Sequence, residues 1–170
     1  MTNAQVVKVS QLGGPEVMQL HQENLNHPKA GEVQLRQTAI GFNFIDIYQR
    51  SGIYPLELPT GLGHEAAGII ESIGSGVTDF QIGDRVVYIN AGIGAYATHR
   101  NVSADKLIKL PDSINDETAA AIFFKAMTAQ YLVKKTYSVK SEDIVLIHAA
   151  AGGVGQLLVS WTKSIGARVI

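Results

Sequence analysis

The sequence predicts an α/β protein with a β-rich front: a compact barrel or sandwich of short strands over residues 4 to about 110, then helices and the start of a doubly wound parallel sheet. Three observations predict it. Short apolar or alternating runs are punctuated by Gly and Pro as far as Pro111; beyond it the apolar period lengthens to that of helices; and a β-branched run, a glycine cluster and an amphipathic stretch follow one another near the end.

Taken in order, residues 6–9 and 33–36 have strand length and pattern, with Gly13-Gly14-Pro15 and His27-Pro28-Lys29-Ala30-Gly31 as the turns around them. Residues 66–73, 84–89 and 96–102 read the same way. After Pro111, Asn115 is placed to cap a helix whose first turn holds Asp116 and Glu117, where carboxylates suit the helix dipole. An Ala-rich body follows, and residues 126–137 continue it to Lys134-Lys135, where cations suit a C-terminus. Ile144-Val145-Leu146-Ile147 suits a strand buried on both faces of a parallel sheet. Behind the glycines, Val154, Leu157, Leu158, Trp161 and Ile165 form the apolar stripe of a helix, Gly166 is its expected stop, and residues 168–170 open another strand. A β-α-β unit with so short a second strand leaves open sheet edges, so the chain reads as the front half of a longer protein.

Composition narrows the function. The 170 residues, 46% hydrophobic, are enough for one ordinary domain and part of a second. A formal net charge of −1, with Lys134-Lys135 as the longest run of cations, supplies no electrostatic footprint for nucleic acid or an anionic membrane. With no cysteine, disulfides, zinc fingers, iron–sulfur ligation and thiolate nucleophiles are excluded. The opening Met1-Thr2-Asn3 lacks the basic and apolar regions of a signal peptide, and a cytoplasmic protein is expected. The most apolar stretch, residues 144–161, contains Gly152, Gly153, Gly155, His148 and Gln156, and reads as strand, turn and helix rather than as a membrane span.

Four constellations are able to carry chemistry. His148-Ala149-Ala150-Ala151-Gly152-Gly153-Val154-Gly155, the strongest local signal, sits between the strand and the helix, and its A-x-x-G-x-x-G spacing lets backbone amides and a helix N-terminus approach a pyrophosphate; a tight turn without ligand is the alternative. Lys125 stands in a mostly apolar segment, residues 119–132, and must snorkel, pair or meet a polar ligand. Asn43, Asp46 and Tyr48, within an aromatic and aliphatic run, are either core hydrogen-bonding groups, which the residues alone favour, or a cleft wall. His64-Glu65 are metal-ligand types, yet the H-E-x-x-H spacing fails because position 68 is Gly, and a structural role for Glu65 is expected instead.

Together these segments resemble the medium-chain dehydrogenase/reductase superfamily, and within it the zinc-free quinone oxidoreductases related to zeta-crystallin. The motifs that carry the resemblance are Gly13-Gly14-Pro15-Glu16-Val17, Gly41-Phe42-Asn43-Phe44-Ile45-Asp46, Gly52-Ile53-Tyr54-Pro55, residues 61–68, Gly83-Asp84-Arg85-Val86 and residues 149–155. The resemblance implies a GroES-like β-barrel substrate and catalytic domain over residues 1–115 and the start of a Rossmann dinucleotide-binding domain over 116–170. It implies that Asn43, Phe44, Ile45, Asp46 and Tyr48 border the nicotinamide and its ribose, reversing the core reading of Asn43. Lys125, Thr128 and Tyr131 would face the cofactor from the helical segment, and Gly152, Gly153 and Val154 would hold the pyrophosphate. Zinc-dependent relatives place a Cys where this sequence has Asn43 and a His where it has His64; only the His survives, and no metal is expected.

The expected activity is NADPH-dependent reduction of a quinone or conjugated enone, with NADH left open as donor. Conjugated carbonyls already accept electrons, so the protein has to hold donor and acceptor close, exclude water and supply a hydrogen bond to the developing oxyanion. Asn43 and Tyr54 are the candidates for that donor and for a proton relay. A homodimer is the expected assembly. A non-catalytic GroES-like interaction module is the alternative, separable by cofactor titration.

Overall fold

Alternation builds the front of the molecule. The computed structural model describes residues 1–170, and in it the inward positions Val33 and Leu35, Ala66 and Ile70, Val86 and Tyr88 meet in one buried cluster with Ala95, Val102 and Leu107. These residues belong to β3 (Glu32–Ile40), β5 (Glu65–Ile73), β6 (Arg85–Ile89), β7 (His99–Ser103) and β8 (Leu107–Lys109). They pair antiparallel in the order β7-β3-β5-β6-β8.

A second sheet, β2-β1-β4, consists of β1 (Thr2–Val9), β2 (Met18–Leu25) and β4 (Thr60–Gly61). The Val7 N–H donates to the Tyr96 carbonyl at 2.8 Å and the Thr98 N–H to the Gln5 carbonyl at 2.9 Å, stitching this sheet to the segment that leads into β7. Strand β2 escaped the sequence reading for a physical reason. It pairs with β1 from Thr2↔Leu25 to Val9↔Met18, yet most of its side chains are exposed, so burial imposes no alternation on its composition.

Helix α1 (Phe44–Ser51) follows β3 and carries the candidate residues of the front half. Helix α2 (Asp116–Gln130) starts where Asn115 predicts it: the Asn115 Oδ1 accepts from the Thr118 N–H at 2.7 Å. Asp116 in its first turn pairs with Arg85 at 2.6 Å and accepts from the Thr38 hydroxyl at 2.5 Å, fastening the helix start to β6 and β3. Where the sequence predicts the helix to run on, residues Tyr131–Thr136 widen into a π-helical segment whose last turn holds Lys134 and Lys135.

The chain divides into two compact units, Met1–Ala121 and Ile122–Ile170. The second contains β9 (Ile144–Val145), α3 (Gly153–Ile165) and β10 (Arg168–Val169), the two strands parallel, with Arg168 opposite Ile144. Leu158, Trp161 and Ile165 of the predicted stripe pack against Val133, Val139 and Ala167, and Gly166, at φ 100°, ends α3. The expectation of a strand over residues 144–147 buried on both faces is corrected: only Ile144–Val145 form strand, and Ile144 and Leu146 are 63% and 64% exposed. One short neighbouring strand leaves their side of the sheet uncovered.

Candidate functional site

Helix α1 is amphipathic in the inverted sense. Its buried face is polar, made of Asn43 at the N-cap, Asp46, Gln49 and Arg50, whereas Phe44 is 65% exposed. Buried polar groups persist only when they are hydrogen-bonded, and each of these has a partner. The Asn43 Nδ2 donates to Glu65 Oε1 at 2.7 Å, and the Asn43 N–H donates to Asp46 Oδ2 at 2.9 Å, the return half of a capping box. The Tyr96 hydroxyl donates to the same Asp46 oxygen at 2.9 Å. His64 Nε2 and Gln49 Oε1 are 2.9 Å apart, and Arg50 donates to the Gly13 carbonyl at 2.8 Å. Glu65, the first residue of β5, and His64 just before it thus grip the helix at two points and Tyr96 at a third.

The opposite side of α1 presents aromatic rings. Phe44 and Tyr48 meet edge to face with centroids 5.1 Å apart, and Tyr54 lies 5.3 Å from Tyr48 and donates its N–H to the Tyr48 carbonyl at 3.0 Å. Ile45 and Tyr48 are half-buried and Tyr54 is exposed. The structure therefore brings Asn43, Phe44, Ile45, Asp46, Tyr48 and Tyr54 together on one helix and its following turn, with Asn43 and Asp46 behind and the rings in front. The residue-only reading of Asn43 as a core hydrogen-bonding group describes its contacts accurately.

In the second unit the glycine turn and Lys125 come together. Ala149 takes a left-handed φ of 51°, uncommon for a residue with a Cβ, and its carbonyl accepts the Gly152 N–H at 2.9 Å, closing the turn. Gly152 is the N-cap of α3, and the N–H groups of the first turn at Gly153, Val154 and Gly155 have no partner within the helix by its geometry. The Lys125 side chain crosses Gly153 so closely that a Cβ there would lie 2.8 Å from the Lys125 Cδ. A Cβ at Gly155 would run into the Ala149 carbonyl oxygen. Gly152 and Gly153 are exposed, so backbone amides and an ammonium-bearing side chain share one accessible surface, the arrangement that takes an anionic phosphate group. Thr128, one turn beyond Lys125, donates its hydroxyl to the Phe124 carbonyl at 3.0 Å, and Tyr131 is exposed.

Nowhere in the chain do three or more His, Asp or Glu side chains gather as a metal ion needs. The sequence reading missed Tyr96, Gln49 and Arg50. Each is a polar side chain with nothing in its immediate sequence to say which distant residue it faces.

A family model, the alcohol dehydrogenase GroES-like domain, matches residues 29–112. The chain is 50% identical over 159 residues to a quinone oxidoreductase of Salmonella typhimurium, covering 93% of this chain and 49% of that protein. It is 46% identical over 164 residues to a 2-haloacrylate reductase of a Burkholderia species, covering 93% of this chain and 49% of that one. Among solved structures, the Escherichia coli quinone oxidoreductase complexed with NADPH superposes with a TM-score of 0.94 at 47% identity, over 97% of this chain and 51% of that chain. A Pseudomonas syringae quinone oxidoreductase gives 0.93 at 46% identity, over 98% and 51%. The chain spans about half the length of the curated relatives it matches.

Proposed function

We propose a function from one premise: the chain belongs to the medium-chain dehydrogenase/reductase superfamily, among its quinone oxidoreductases. The whole protein reduces quinones or conjugated enones at the expense of NADPH. The observation that carries this reading is the glycine turn at the start of α3 with Lys125 laid across Gly153, because it joins orphan backbone amides to a cation at one exposed surface.

NADPH, when bound, supplies the hydride. Gly152, Gly153 and Val154 hold its pyrophosphate through backbone N–H groups, and the Lys125 ammonium adds a charge-assisted hydrogen bond. Thr128 and Tyr131 face the cofactor from the same helical segment. Asn43, Phe44, Ile45, Asp46 and Tyr48 border the nicotinamide and its ribose: the polar pair supplies hydrogen bonds and the rings exclude water. The Asn43 amide is oriented by its bond to Glu65, and a donor fixed before reaction is what stabilises a developing oxyanion. Tyr54, with its ring held against Tyr48 and exposed to solvent, relays the proton that the reduced acceptor takes up.

The acceptor's own conjugation polarises it, so this chemistry asks for no Lewis acid from the protein. The 2-haloacrylate reductase relative extends the acceptor class to other carbon–carbon double bonds conjugated with a carbonyl group. The protein acts as a homodimer in the cytoplasm, where the NADPH pool is maintained; light scattering on the purified protein tests the assembly. No helix is long and apolar enough to cross a membrane. The test of the reaction is NADPH oxidation by the full-length protein with benzoquinone and with a simple enone. Turnover of one or both supports the reading, and a folded protein that neither oxidises nor binds NADPH overturns it.

A further inference from the structure

We propose that Tyr96 is a positioning residue for cofactor binding: by donating to the buried Asp46 carboxylate it holds the Asn43–Tyr48 segment in the shape that receives the nicotinamide nucleoside. This rests on the functional reading above, which sets that segment beside the nicotinamide. Tyr96 lies 50 positions away in sequence, between β6 and β7, on backbone pinned from two sides. Its carbonyl accepts from the Val7 N–H at 2.8 Å and its N–H donates to the Leu62 carbonyl at 2.9 Å, so the phenol projects from a fixed base. Room for the ring is made by Gly63, at φ 90°, where a Cβ would collide with the Tyr96 ring.

The hydroxyl meets Asp46 at the oxygen that also accepts the Asn43 N–H. One carboxylate oxygen therefore joins the cap of α1 to the segment between β6 and β7. Asp46 is 2% exposed, and its second oxygen, Oδ1, is buried with no hydrogen-bond partner in the chain. A buried carboxylate depends on its few donors, and without the phenol it would turn toward other donors and carry the helix N-terminus with it. Burial, and then the Asp46 carboxylate beside it, push the Tyr96 phenol well above its ordinary range, with Glu65 adding to the effect and Arg50 opposing it, so the hydroxyl stays a donor at neutral pH. Small displacements of a binding shell are expensive because its groups act only in one geometry.

The experiment is a double-mutant cycle in the full-length protein, Tyr96→Phe against Asp46→Ala, read by NADPH fluorescence titration, with benzoquinone turnover at saturating NADPH alongside. Tyr96→Phe keeps the ring and is expected to fold, to weaken NADPH about tenfold, the loss of one hydrogen bond to a charged group, and to weaken it less than about twofold when Asp46 is already Ala. An equal effect in both backgrounds, unchanged affinity in a folded Tyr96→Phe protein, or failure of that variant to fold overturns the proposal. Should Asp46→Ala not fold, amide exchange decides: faster exchange at residues 43–46 in Tyr96→Phe supports the role, and unchanged protection there removes it. Wild-type protein that takes up no NADPH overturns the functional reading and this one with it, whereas wild-type binding left unaltered by Tyr96→Phe overturns this one alone.

Discussion

Lys125 shows how a single side chain gains meaning from what it touches. Its sequence context left snorkelling and ligand contact open; the structure lays its aliphatic part over Gly153, at the mouth of the helix that the glycine turn begins. Replacing it by Met keeps the aliphatic packing and removes the charge, so Lys125→Met should weaken NADPH by about 1–3 kcal/mol, measured by fluorescence titration on the folded variant. Unchanged affinity in the folded variant would return Lys125 to a snorkelling role. Gly155 is a different case, since the group that a Cβ would strike is the Ala149 backbone rather than a flexible chain end. Gly155→Ala should therefore disturb the turn itself, lowering the melting temperature as well as NADPH affinity, and a variant with wild-type melting behaviour would contradict that geometry.

Polar clamps fasten both α1 and the start of α2, and the one at α2 ties stability to pH. Burial by itself would raise the Asp116 carboxyl, but hydrogen bonds from Thr38 and Arg85 outweigh it and hold the group below the ordinary carboxylate value. A carboxyl lowered in the folded state contributes stability above its unfolded value, roughly pH 4, and loses that contribution as pH falls through the lower folded value. Asp116→Asn should accordingly destabilise the protein by about 1–3 kcal/mol at neutral pH in denaturant unfolding, with the gap to wild type shrinking below about pH 4. A gap that stays constant with pH would mean that the ionised pair is not the source. The neighbouring cap is independent of it: Asn115→Ala removes an acceptor for the Thr118 N–H and should cost about 1 kcal/mol at any pH.

Across the whole molecule, stability is expected to be uneven. The core of the first unit, from Val33 to Leu107, is built on a five-stranded sheet, whereas β9 and β10 form a two-stranded pair with Ile144, Leu146 and Ile170 exposed. Strand pairs with uncovered faces open locally at low cost. Hydrogen exchange on the 170-residue chain should show fast amides at Val145 and Val169 and slow ones at Leu35 and Ile70. Comparable protection in the two units would show that the β9–β10 pair is held more firmly than its exposure implies.

The sequence by itself determined the parts whose physics is local. Short apolar runs bounded by Gly and Pro mark β3, β5 and β6, a repeating apolar face marks α3, Asn115 and Gly166 mark helix ends, and the small residues before α3 mark a turn that backbone amides line. Each of these is written within about ten neighbouring residues, because helix and strand periods and capping chemistry act over that range. Only the tertiary structure decided that α1 buries its polar face and turns Phe44 outward, that Asp46 answers to Tyr96 and Asn43 to Glu65, and that Lys125 lies on Gly153. Those pairings join residues 22 to 50 positions apart, and a polar side chain in the string carries no mark of its partner. The choice is made when the fold brings them to hydrogen-bonding distance and burial makes an unmade bond costly.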